Sequence, residues 1–148
     1  MARNIKQILT CHSWLSTYLA ELPLVHLSTV EPLNRTQIRE LEKSFVGLFS
    51  GNNLNRKYFH ALQSHRTDVP CSHFLASLLI DEATRVVLYW DPLHAVVTTW
   101  RTFIKNWKSI CDSAIGDLFI VPEDQTWLLF YDHESNYVFG KRRTRKRA

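Results

Sequence analysis

Glycine is scarce in this chain, four residues in 148. Loops that cradle phosphates or present a nucleophile need several glycines, because the backbone must bend sharply and come close to the ligand. Neither G-x-x-x-x-G-K, G-x-G-x-x-G nor G-x-S-x-G occurs, which excludes the commonest nucleotide-loop and serine-hydrolase patterns. Cysteine is also sparse. Cys11, Cys71 and Cys111 are odd in number and far apart, unlike a disulfide-stapled secreted scaffold, so a reducing, cytoplasmic setting is expected. The longest apolar run, Phe74 to Ile80 with Ser77 inside it, is too short to span a bilayer, and no membrane association is expected. Residues 1–20 contain no acid but include Arg3 and Lys6. Their amphipathic spacing and the Trp14 and Tyr18 rings suit core material better than a targeting leader.

Aromatics, by contrast, are plentiful: five Trp, five Tyr and eight Phe make up 12% of the chain. Such a share fills a core with rings or furnishes an aromatic binding surface. Charge is unevenly placed. Of the 18 Lys and Arg, six fall within 141–147, leaving 12 against 14 acids over residues 1–140, a net charge of −2. A mildly acidic single domain over 1–140 is therefore expected, followed by a basic, disordered tail over 141–148.

Periodicity predicts the elements. Ile5, Ile8, Leu9, Leu15, Tyr18 and Leu19 lie at helical spacing within 4–20. A second helix is predicted over 36–50, with Ile38, Leu41, Phe45 and Leu48 on one face and Gly51 as its C-terminal cap. Residues 55–66 read as a third helix, 73–80 as a strand that could equally be helical, and 85–90 as a β-branched strand. Asp91-Pro92 resembles a capped helix start, and Leu93, Val96, Val97, Trp100, Phe103, Ile104 and Trp107 extend one apolar face toward Ser113. The remainder, 117–121, 126–132 and 136–140, alternates like a β-meander. Both faces of 126–132 are apolar, which suits a central, doubly covered strand. The fold class expected is α+β: N-terminal helices and one long amphipathic helix packed on a largely antiparallel sheet of four or five strands.

Candidate chemistry is thin. His60, His65, Cys71 and His73 fall within fourteen residues, but only His60 and His65 have a zinc-like spacing, so they are weak metal candidates and no cofactor is expected. Cys71 lacks the flanking signature of a nucleophile and reads as a small buried hydrophobe. Asp132, His133 and Glu134 form the densest ionisable triplet. Period-two alternation separates His133 from the two acids, however, and a solvated turn is the plainer expectation.

The strand Trp127-Leu128-Leu129-Phe130-Tyr131, then His133-Glu134, then Tyr137-Val138-Phe139 resembles the C-terminal end of small bacterial immunity-type proteins of polymorphic and contact-dependent toxin systems. The resemblance covers about a sixth of the chain. It implies a non-enzymatic protein that neutralises a cognate toxin domain through Trp127, Tyr131, Asp132, His133, Glu134 and Tyr137. This protein-binding reading ranks first. Nucleic-acid association ranks second, through Lys141, Arg142, Arg143, Arg145, Lys146 and Arg147 together with the helical face Arg101, Lys105 and Lys108. A small metal- or Cys/His-dependent hydrolase ranks third.

Overall fold

A computed structural model describes residues 14–19, 22–50, 53–65, 70–112, 116–132, 134 and 136–144. The chain is α+β, as expected, with an antiparallel sheet of seven strands rather than four or five. In chain order come α1 (Leu15–Tyr18), α2 (Leu24–Leu27), β1 (Glu31–Pro32), α3 (Arg35–Phe45), β2 (Phe49–Ser50), β3 (Asn53–Leu54), β4 (Phe59–His65) and α4 (Cys71–Ser77). Then follow β5 (Arg85–Asp91), β6 (His94–Thr99), α5 (Trp100–Asp112), β7 (Leu118–Pro122), β8 (Trp127–Tyr131) and β9 (Tyr137–Arg142). The large sheet runs β1-β6-β5-β7-β8-β9-β4, and β2-β3 form a separate small ribbon.

Alternation along the central strands divides the interior in two. On one face, Val86, Leu88, Val96, Ile120 and Leu129 pack against Leu15, Phe74, Trp100, Phe103 and Ile110 from the helical layer. On the other, Val87, Val97, Val121 and Leu128 pack under Ile38 and Leu41 of α3 and Leu54 of β3. The sheet is therefore sandwiched between helices on one side and α3 with the β2-β3 ribbon on the other. Strand β8 is buried along its whole length between β7 and β9, the central position its two-sided apolar pattern required.

Three elements differ from the sequence reading. Asp91-Pro92 starts no helix: the Asp91 carboxylate accepts from the Leu93 N–H at 2.8 Å in the turn of a β5-β6 hairpin. Asp-Pro chemistry serves helix starts and tight turns alike, and the β-branched run after it goes into the sheet. The long helix consequently begins at Trp100. Residues 59–65 are an edge strand, not a helix. Ala61 at φ 51 and a register shift between His60 and Gln63 break the period-two pattern. Residues 71–77 are a short helix, the alternative that the sequence left open beside a strand for 73–80. Helix α3 begins on a reciprocal Asn34–Gln37 capping box and ends earlier than predicted, with Gly47 at φ 76 making the left-handed turn expected of Gly51. Most of the first predicted helix, and Gly51 itself, lie outside the described residues.

Lys141 and Arg142 also leave the expected tail. They complete β9 and pair with His60 and Phe59 of β4, because edge strand β4 supplies backbone partners that a free tail would lack.

Candidate functional site

Where α3 ends, the chain reverses at Gly47 and meets the turn between β3 and β4. Asn55 holds this corner together. Its side chain donates to the Gly47 carbonyl at 3.2 Å and accepts from the Lys57 N–H at 3.0 Å. Its backbone accepts from Tyr58 and Phe59 and donates to Leu48 at 2.7 Å. The end of β9 closes the third side. The Arg143 N–H donates to the Tyr58 carbonyl at 2.8 Å, and its Nε donates to the Arg56 and Phe59 carbonyls. Arg142 lies over the Phe59 ring, 5.4 Å from its centroid.

These three segments enclose a pocket of about 620 Å³ lined by Lys43, Ser44, Val46, Leu48, Lys57, Tyr58, Arg142, Arg143 and Thr144. Four cations thus converge from three elements. Among the described residues only Lys43 has an acid partner, Glu40 at 2.7 Å, and both side chains are largely exposed. An exposed pair of this kind contributes little and exchanges readily. Neither Lys57, Arg142 nor Arg143 has a carboxylate within ion-pair distance among the described residues. Two arginines and a lysine held this way offer a fork and a point charge to an anion, a combination suited to phosphate.

The other sequence candidates are placed differently. Trp127, Tyr131 and Tyr137 are buried in the core on the helical side of the sheet. Asp132 organises the turn before β9, accepting from the Glu134 and Asn136 N–H groups at 2.9 and 3.0 Å. Glu134 is exposed, and His133 lies outside the described residues. Arg101, Lys105 and Lys108 sit on α5, across the sheet from the basic pocket. Arg101 and Lys105 are exposed, and Arg101 is 3.8 Å from Glu82. Of the cations considered together in sequence, Arg101, Lys105 and Lys108 on α5 are therefore separated by the sheet from Arg142 and Arg143 at the pocket. Arg145, Lys146 and Arg147 lie outside the described residues.

The metal candidates are not gathered. His60 is exposed on β4, His65 is buried with its ring 5.1 Å from that of Phe74, and His73 is exposed on α4. Among the described residues no three His, Cys, Asp or Glu side chains form a metal-sized group. Cys71 is half-buried, and burial pushes its thiol upward despite a hydrogen bond from Tyr137 that lowers it. Burial likewise pushes Cys111, 2.8 Å from the Tyr137 hydroxyl, up to about 12. A nucleophilic thiol needs the opposite shift.

Two features escaped the sequence. Lys57 and Tyr58 join the pocket only through the Asn55 corner, and no local pattern marks them. A second group forms at the β5-β6 turn, where His94 Nδ1 lies 2.7 Å from Asp91 and the Tyr18 hydroxyl donates to the same carboxylate at 3.4 Å. The Trp14 ring is 4.8 Å from that of His94. The Asp-x-x-His spacing is its only sequence trace. Half-buried among rings, the His–Asp pair fastens α1 to the hairpin.

No family model matches the chain, and no curated protein or solved structure matches it either. No helix among the described residues is long and apolar enough to cross a membrane.

Proposed function

We propose that this protein associates with nucleic acid, gripping backbone phosphates in the pocket formed by Lys43, Lys57, Arg142 and Arg143. The observation that carries this reading is the convergence of those four cations from three elements, with three of them lacking an acid partner among the described residues. Phosphate binding at a cluster of cations is favoured by charge attraction and by release of condensed counterions. In sequence, Arg143 and Thr144 of the pocket are followed directly by Arg145, Lys146 and Arg147, three further cations available to phosphate. Of the residues named for the toxin-neutralising reading, Trp127, Tyr131 and Tyr137 are buried in the core, Asp132 is half-buried and Glu134 is exposed.

Fluorescence anisotropy with a mixed-sequence oligonucleotide, titrated at low and at physiological salt, tests the proposal. Binding in the range of about 10⁻⁴ to 10⁻⁶ M is expected near physiological salt, tighter at low salt. The Lys57→Gln and Arg142→Gln variants should each weaken it, and each should reduce the magnitude of the salt slope by about one. Wild-type protein that binds no oligonucleotide at low salt, or variants that bind as tightly as wild type, would overturn it.

A further inference from the structure

We infer that the pocket receives one unpaired nucleotide, with its phosphate among the cations and its base against Tyr58, so that the protein prefers single strands to duplex. The inference rests on the nucleic-acid reading above and adds the form of the ligand. The first support is shape. The cations stand on three sides of a concavity of about 620 Å³, within the size range of small-ligand sites. A duplex presents its phosphates on a stiff convex surface and can touch only the rim. An unpaired nucleotide can rotate its phosphate inward, where all three sides reach it.

The second support is composition. Besides the cations, Ser44 and Thr144, the wall carries apolar groups: the Tyr58 ring, Leu48 and Val46, the last 79% exposed. Phosphate has no use for such a surface, whereas a base does, because every base offers a flat face to an aromatic ring. Lys57 Nζ lies over the Tyr58 ring, 5.5 Å from its centroid, so a cation and an aromatic face meet at one wall of the pocket, and a stacking base would take the face that the exposed ammonium now covers. Tyr58 is also positioned through its backbone. Its N–H is bonded to Asn55 and its carbonyl to Arg143, and its ring packs partly against the core, a contact that Tyr58→Phe keeps.

The test compares a single-stranded 10-mer with a duplex of the same sequence, and wild type with Tyr58→Ala and Tyr58→Phe. Single-strand binding at least about tenfold tighter than duplex is expected. Tyr58→Ala should weaken single-strand binding by roughly 5- to 150-fold, the equivalent of one lost base stack. Its salt slope should stay unchanged, because stacking releases no counterions, and Tyr58→Phe should bind like wild type. A readout independent of any variant is competition: adenosine monophosphate should displace the labelled strand at lower concentration than ribose 5-phosphate. Direct titration of the mononucleotide alone separates a free-nucleotide site from one that needs a strand. Equal binding of duplex and single strand, or equal competition by the two phosphates, overturns the inference while leaving nucleic-acid association standing. Absence of binding to every oligonucleotide removes both.

Discussion

Gly140 shows how tightly the layer above the pocket is closed. A β-carbon there would stand 2.8 Å from Leu54 Cδ1, 2.8 Å from Leu62 Cδ2 and 3.0 Å from Phe59 Cδ1. Leu54 and Phe59 are almost fully buried, so they have little room to withdraw. Gly140→Ala should therefore destabilise the protein by about 1–3 kcal/mol, read as a lower urea midpoint. Cys111 supplies a pH prediction. Its thiol rises from an ordinary 9.0 to about 12 in the folded chain, mainly by burial. Tyr89 rises from 10.0 to about 12, by burial and then by its bond to Glu42. The folded state holds these protons after the unfolded state has released them, so their contribution is intact below pH 9 and is lost between about pH 9 and 12. The melting temperature should fall steeply over that alkaline range, and Cys111→Val should make the fall shallower. A melting temperature flat from pH 8 to 11 would contradict it. Residue by residue, the sequence was informative where burial sets the pattern, as at Trp127 to Tyr131. It was silent at Lys57 and Tyr58, which belong to the site only because Asn55 folds their turn against α3.

Among the elements, α5 separates what periodicity can settle from what it cannot. Val96, Val97, Trp100 and Phe103 match a helical face as well as they match a strand running into a helix, and over 94–99 the β-branched residues decide for the sheet. Hairpin β5-β6 then delivers α5 onto the helical side of the sheet, with Trp100 2% and Phe103 0% exposed. Trp107 is only partly buried against the same core. It follows Asn106, whose φ of −127 breaks the helix and whose amide donates to the Thr102 carbonyl and meets His26 Nδ1 at 2.8 Å. The three rings predicted to share one face are thus unequal. Trp100→Ala and Phe103→Ala should each cost about 3–5 kcal/mol, because lost burial and a new cavity add. Trp107→Ala should cost clearly less. Equal losses in thermal or urea unfolding would mean the kink does not turn Trp107 partly out of the core. The element misread as a helix, 59–65, had its alternation hidden by the bulge near Ala61, and nothing local distinguishes an irregular edge strand from a short amphipathic helix.

At the scale of the whole molecule, the sheet extends past residue 140, where the sequence drew the start of the basic tail, because β9 runs to Arg142. A chain cut after Gly140 loses Lys141 and Arg142, which pair with β4, and Arg143, whose N–H and Nε close the Tyr58, Arg56 and Phe59 carbonyls. Edge strand β4 would then be paired only along the part that faces 137–139, and the corner at Asn55 would lose its third side. Since a single net hydrogen bond contributes about 0.5–1.5 kcal/mol, that truncation should lower stability by several degrees in melting temperature. A chain cut after Thr144 keeps every one of these bonds and removes three cations, Arg145, Lys146 and Arg147. It should melt like the full chain. Its affinity for oligonucleotide should nevertheless fall, and if all three cations neutralise phosphates, the salt slope for a single strand should drop in magnitude by about 0.7 per cation. The two cuts therefore separate folding from binding. A stable protein with an unchanged salt slope after loss of 145–148 would confine the phosphate grip to the pocket. A melting temperature that fell as far for the shorter cut as for the longer one would mean that residues 145–148 dock on the domain as well.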